Sequence, residues 1–260
     1  MTQGSEMLDR ESGTSSNNSL AHQQAVERVI RAMRDRLNEP LTLQDMADIA
    51  YLSPNHFHRI FHRIIGIPPG EFLTALRLDA AKRLLLTTSM RVTDICFEVG
   101  YSSVGSFTTR FTELVGLAPR RLRQQVEHVV MPSLDSIRPQ NFVLCHFPLS
   151  GCFYGRVSCS EAFTGVIYVG LFPRPIPQGK PVRWMCLTKP GPYMFTCVPD
   201  GSYYVLAIAF PACDSPQAYL LPGQGVLLGM SQGCLAGQQD ITLRFPRLTD
   251  PPIVSILPFL

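Results

Sequence analysis

Between Ala47 and Pro119 the chain repeats itself. Ala47 is matched by Cys96 at an offset of 49 residues, and Phe57, Phe61, Gly66 and Pro69 are matched by Phe107, Phe111, Gly116 and Pro119 at an offset of 50. A repeat of this period means one supersecondary unit built twice, so any fold proposed for this half has to contain two similar units. The first unit reads as two short helices. Thr42 caps LTLQDMADIA, in which Asp45 sits in the first turn and Leu43, Met46, Ala47 and Ala50 supply a buried side. Tyr51 and Leu52 make a tight turn, Ser53 is a suitable N-cap, and Pro54 suits the first helical position of a helix that runs to Gly66.

Around the repeat, Val26, Val29, Ile30, Met33 and Leu37 form one apolar helical stripe stopped by Pro40. Pro69 to Thr87 reads as a long helix between the units, with Phe72, Leu73, Leu76, Ala80 and Leu84 on its buried side. At 1.5 Å per residue it is a strut of about 27 Å, compared with the roughly 34–36 Å between successive major-groove faces of DNA. Gly100 ends the helix before the second turn, where a positive φ is required, and is read as structural.

The run MADIAYLSPNHFHRIFHRIIGIPPGEFLTALRLDAAKRLL, followed by VTDICFEVGYSSVGSFTTRFTELVGLAPRRLR, resembles the DNA-binding domain of the AraC/XylS family of transcription regulators. Its landmarks include Ala47, Ser53, Phe57, Arg59, Gly66, Arg77, Ile95, Gly100, Phe107, Gly116, Pro119 and Arg123. The resemblance covers about Ala25 to Gln125. It implies a seven-helix, homeodomain-like double helix-turn-helix domain whose two recognition helices enter neighbouring major grooves of double-stranded DNA, in a regulator that contacts RNA polymerase.

With Phe57, Ile60, Phe61 and Ile64 turned inward, Asn55, His58, Arg59, His62 and Arg63 point outward. A polar face is often merely solvated, but the resemblance implies that Asn55, His58 and Arg59 read base edges and that His62 and Arg63 meet phosphate. The second recognition helix buries Phe107, Phe111 and Leu114 and shows Gly105, Thr108, Thr109 and Thr112, with Arg110 one step further round. Gly105, Thr108 and Thr109 are the implied base contacts there, and Arg110 and Thr112 the backbone contacts. Many family members carry a Ser-Arg pair where this chain has Thr108 and Thr109, so the first helix is expected to dominate specificity. His58 and His62 have the i, i+4 spacing of a metal pair but lack further ligands, and neither a metal nor a cofactor is expected.

The net charge of +3 is only mildly basic, and nucleic acid is not singled out by it. Ala21 to Gln125 carries 14 Lys plus Arg against 10 Asp plus Glu, with a single lysine, which is a modest local excess favouring arginine as the reader of bases and phosphates. The first twenty residues hold no apolar run and are read as a disordered lead, with no signal or membrane anchor and a cytoplasmic location.

Proline marks the domain boundary: 5 of the 22 lie before residue 132, and the later part becomes short apolar runs split by Pro and Gly. The expected organisation is a multidomain chain: a lead at 1–20, the all-α DNA-binding domain at 21–127, a linker at 128–150, an all-β sandwich at 151–246 and an apolar tail at 247–260. Seven strands are read in the sandwich: CFYGRVSC, GVIYVGLF, PVRWMCL, PYMFTCV, SYYVLAIAF, GVLLGM and ITLRF. The stretch PGPYMFTCVPDGSYYVLAIAF is similar to prealbumin-like or carboxypeptidase-regulatory sandwiches, a likeness that implies no particular ligand.

No enzyme is expected. There is no nucleophile motif, and Cys145 and His146 stand between Leu144 and Phe147 rather than in the Pro-Cys-His-Arg of DNA-repair methyl acceptors. The cysteines are read as small buried hydrophobes. Tyr168, Trp184, Tyr193, Tyr203 and Tyr204 are expected mainly as core, with a pocket for a small-molecule effector as the other reading. The tail PPIVSILPFL is expected to cover an inter-domain or oligomer surface. Two functions remain open: a DNA-binding regulator, or a ligand- or protein-binding sandwich that the DNA-binding half merely localises.

Overall fold

The computed structural model describes residues 5–125, 151–212, 220, 221, 223 and 225–256, with only the backbone before residue 18. Cys145 and His146 lie outside these residues. Seven helices come first: α1 (Ser5–Asp35), α2 (Leu43–Ala50), α3 (Pro54–Ile65), α4 (Pro69–Thr87), α5 (Val92–Glu98), α6 (Val104–Val115) and α7 (Pro119–Gln125). Eight strands follow: β1 (Phe153–Cys159), β2 (Gly165–Phe172), β3 (Arg183–Leu187), β4 (Pro192–Phe195), β5 (Tyr204–Pro211), β6 (Leu227–Met230), β7 (Gly237–Gln238) and β8 (Ile241–Leu243). The fold is an all-α double helix-turn-helix followed by an all-β part.

The helical half is organised by its phenylalanines. Phe57, Phe61 and Phe72 contact edge to face across α3 and α4, while in the second unit Phe107 meets Tyr101 edge to face and Phe111 at a tilt. The α1 stripe is fully buried from Val26 to Met33. This helix begins at Ser5, so most of the segment expected to be disordered falls within it. Composition gives no sign of this, because extending a helix already nucleated by a packed stripe costs far less than starting one. Leu43, expected on the buried side of α2, is 38% exposed at the first turn.

Helix α4 is buried on more faces than one apolar stripe predicts. Leu78 and Lys82 are covered as well as Phe72, Leu73 and Leu76, whereas Ala80 and Leu84 are only half-buried. The reason is tertiary: both units and the C-terminal tail pack on the same helix.

The all-β part is a sandwich of two four-stranded sheets, one ordered β3-β2-β5-β6 and the other built around β1, with β4 on one side and β7 and β8 on the other. Phe153, Val157, Tyr193, Phe195 and Ile241 from one sheet meet Ile167, Val169, Leu171, Met185, Val205 and Ala207 from the other. The short β7 is a strand that sequence reading missed; its two residues pair parallel with Phe153 and Tyr154. Tyr168, Tyr193 and Tyr203 are buried, Tyr204 is half-buried and Trp184 is 43% exposed, so these aromatics do not line one pocket.

Strands β2 and β5 are buried on both faces. Their outer face, with Val166, Tyr168, Phe172, Leu206, Ile208 and Phe210, is covered in part by Val226 and by Ile253 of the tail. Val254 and Ile256 point the other way, into the helical core, joined there by Ile176 of the β2–β3 loop and by Leu220. The tail is therefore a two-sided wedge between the halves, alternating its side chains as an extended segment must.

Candidate nucleic-acid interface

Each helix-turn-helix unit is held in shape by local chemistry. Thr42 and Asp45 form a reciprocal capping box at α2, with Asp45 N–H donating to the Thr42 hydroxyl at 3.2 Å and Thr42 N–H to the Asp45 carboxylate at 2.8 Å. At α6 the Ser103 hydroxyl accepts from Ser106 N–H at 3.2 Å. Ser53 occupies the N-cap of α3 without a side-chain capping bond, leaving Pro54 in the first turn as the start signal. Helices α3 and α6 both end on a left-handed glycine, Gly66 and Gly116.

The two turns are made differently. Tyr51 has φ 58° and Gly100 φ 81°, and the repeat sets these residues at equivalent places. Tyr51 is 84% exposed, with the Arg28 guanidinium 5.3 Å from its ring centre. Gly100 is pressed against the strut: Arg77 Nε donates to the Leu37 carbonyl at 2.9 Å and Arg77 Nη2 to the Glu39 carbonyl at 2.7 Å. Arg77 thereby ties the loop after α1 to the strut α4, close beside Gly100, and burial lowers its pKa.

The outward faces agree with the periodicity. Asn55, His58, Arg59, His62 and Arg63 are exposed on α3, opposite the buried Phe57, Ile60 and Phe61. On α6, Gly105, Thr109, Arg110 and Thr112 are exposed, but Thr108 is half-buried. Not all of these groups are free. Arg63 lies back towards α1, its Nη2 3.5 Å from His22 Nδ1, while the His22 and His56 rings stand 5.7 Å apart. Arg110 is paired with Glu113 at 3.1 Å, and the Thr112 hydroxyl donates to the Thr108 carbonyl at 2.7 Å.

Sequence reading missed a basic recess beside α6. Thr108 lines an open pocket of about 530 Å³ together with Arg91, Thr93, Arg120 and Arg123. Arg91 and Arg120 are exposed, whereas Arg123 Nε is engaged with the Leu85 carbonyl at 3.1 Å, closing the end of α4. The only signal in the sequence was the arginine-rich start of α7, PRRLR. Among the described residues no group of three or more His, Cys, Asp or Glu side chains is placed to hold a metal.

Residues 46–125 match the family described as "Helix-turn-helix domain". Over 98 residues the chain is 30% identical to the HTH-type transcriptional activator AarP of Providencia stuartii, an alignment that covers 38% of this chain and 73% of that protein. The chain belongs to the AraC/XylS family of transcription regulators. This AraC/XylS chain is also 34% identical over 108 residues to the bifunctional transcriptional activator/DNA repair enzyme AdaA of Bacillus subtilis, covering 42% of the chain and 51% of AdaA. It thus spans about half of that relative's length. A solved AraC-type regulator from Chromobacterium violaceum aligns at 28% identity over 40% of this AraC/XylS chain and 92% of its own, with a TM-score of 0.38. Among the described residues no helix is long and apolar enough to cross a membrane.

Proposed function

We propose that the protein is a sequence-specific, cytoplasmic regulator of transcription that reads two adjacent major grooves with α3 and α6. The observation that carries this reading is the paired placement of polar faces on the second helices of both units. Each stands opposite buried phenylalanines, and the 19-residue α4 joins the units over about 28 Å. Asn55, His58 and Arg59 read bases from α3, and Gly105, Thr108 and Thr109 from α6. His62, Arg63, Arg110 and Thr112 meet the backbone, with Arg91 and Arg120 supplying further phosphate contacts beside Thr108. Arg59 is the sharpest reader, since a guanidinium can bond a guanine through two donors.

RNA polymerase is the protein partner in this reading, and the sandwich is where a small-molecule effector would bind. The chain acts without catalysis. Selection of bound sequences from a randomised duplex pool by the full chain tests the proposal. The expected product is a motif of two unequal half-elements about one helical turn apart. A pool without enrichment overturns it and favours a sandwich module for which the helical half has no reading role.

A further inference from the structure

One loop of the sandwich touches both helix-turn-helix units. In the β2–β3 loop, Pro175 packs at Gly66, the C-cap of α3, where an added β-carbon would stand 3.0 Å from its Cγ. Arg174 forms an ion pair with Glu71 in the first turn of α4, and Gln178 Nε2 donates to the same carboxylate at 3.0 Å. At the far end of the loop, Gly179 N–H donates to the Leu114 carbonyl at 2.6 Å. That carbonyl belongs to the last turn of α6, whose final carbonyls have no partner within the helix.

The tail holds this loop in place and adds two grips of its own. The Pro177 carbonyl accepts from Val254 N–H and Ser255 N–H, each at 3.0 Å, and from the Ser255 hydroxyl at 3.1 Å. Ile256 N–H reaches the Val115 carbonyl at 3.4 Å, and the Lys82 ammonium on α4 donates to the Ile253 carbonyl at 2.5 Å. Ile176, Val254 and Ile256 are buried in the helical core. The sandwich therefore grips the C-terminal end of each recognition helix and the strut between them.

We propose that the loop Arg174–Gly179 and the tail Ile253–Ile256 form a brace that sets the spacing and tilt of the two recognition helices, so that the sandwich is a working part of the DNA reader. Arg174, Gln178, Gly179 and Ile256 are positioning residues that act through α3, α4 and α6. Leverage gives the brace its effect. A 12-residue helix is about 18 Å long, so a pivot of about 10° at its C-terminal end shifts its first turn by about 3 Å, close to the roughly 3.4 Å rise of one base pair. The recognition helices have base-reading residues in their first two turns and brace contacts in their last, which places the grip where a small rotation is most amplified. This inference rests on the reading of α3 and α6 as recognition helices.

The test uses the full chain and duplexes carrying the selected half-elements at the preferred spacing and at one or two base pairs more or fewer, together with a duplex carrying the first half-element alone. Each added base pair rotates one half-element by about 34° relative to the other. The wild-type chain is expected to lose about tenfold or more in affinity at each altered spacing. Arg174→Ala/Gln178→Ala, at the sandwich side of the brace, is expected to bind the single half-element like wild type within about twofold while its spacing preference falls to about threefold or less. A purely structural role would lower both affinities together and leave the spacing profile intact. Arg174→Ala alone, whose side chain is half exposed, keeps the test open if the double variant loses its circular-dichroism spectrum. An unchanged spacing profile in a folded variant overturns the brace; failure of the wild-type chain to select any sequence overturns the recognition-helix reading and the brace with it.

Discussion

A β-carbon on Gly100 would stand 2.3 Å from the Leu37 carbonyl oxygen, the same oxygen that accepts from Arg77. The second turn, the end of the α1 loop and the strut therefore meet at one point with no room for a side chain. Tyr51, at the equivalent place in the first unit, holds the same left-handed backbone in open solvent. Gly100→Ala is expected to lose about 2–4 kcal/mol of stability, from a positive φ that costs about 1 kcal/mol or more together with the displaced backbone contact. Tyr51→Gly removes backbone strain and the Arg28 contact together, and its effect stays within about 1 kcal/mol. Urea unfolding of both variants checks the contrast, and equal losses would contradict it.

The two recognition helices are expected to contribute unequally. Arg59→Ala loses about 5- to 150-fold in discrimination at one position of the site, the equivalent of about 1–3 kcal/mol for a bidentate guanidinium contact. Thr109→Ala loses less, because a hydroxyl and a methyl group read bases less sharply and the Thr108 carbonyl beside it is already engaged by Thr112. Binding measured over a panel of single-base substitutions in the selected site separates the two, and similar losses would refute the inequality.

Arg91 and Arg120 flank Thr108 in the recess beside α6 and are proposed to neutralise phosphates. Replacing each by alanine is expected to weaken binding to all sequences alike and to flatten the slope of log affinity against log salt by about 0.9 per contact. Arg123→Ala, by contrast, unseats a residue bonded to the Leu85 carbonyl and should register in thermal stability. A salt slope that ignores Arg91 and Arg120 would remove them from the interface.

Lys82 is the one buried charged side chain among the described residues. Burial lowers its pKa, opposed by Asp79 at 3.3 Å. Because the folded form titrates below an ordinary lysine, the unfolded chain binds more protons between the two values, and stability contributed by this group rises with pH across that window. Lys82→Met keeps the packing and leaves Asp79 paired with Arg83, so its stability at neutral pH is expected within about 1–2 kcal/mol of wild type. The difference between wild type and variant, measured by urea unfolding from neutral to alkaline pH, should shift in favour of wild type; a flat difference would assign the pH dependence elsewhere.

How far the sequence could be read follows from the range of the interactions involved. The helix bounds of α3 and α4, the inward phenylalanines, the outward Asn55, His58 and Arg59 and most of the strands were legible, because a helix or a half-buried strand writes its burial into residues two to four positions apart. The repeat showed one unit built twice, and the landmark residues carried the resemblance to a family, both without any knowledge of packing. Contacts across distant segments left no such trace. The positive φ of Gly100 was legible, but that Tyr51 holds the same backbone, and that only Gly100 lacks room for a side chain, appears only once Leu37 is brought against it. Arg91 and Arg120 became neighbours of Thr108 only when α5, α6 and α7 converged. No periodicity marks Lys82 for burial, and the tail was legible as an apolar cover for an inter-domain or oligomer surface without a sign of which one or of its contacts. The 171 residues separating Lys82 from Ile253 carry no period to follow, and tertiary packing alone decided that the tail is wedged between sandwich and helices, with the β2–β3 loop and the tail against the C-terminal ends of α3 and α6.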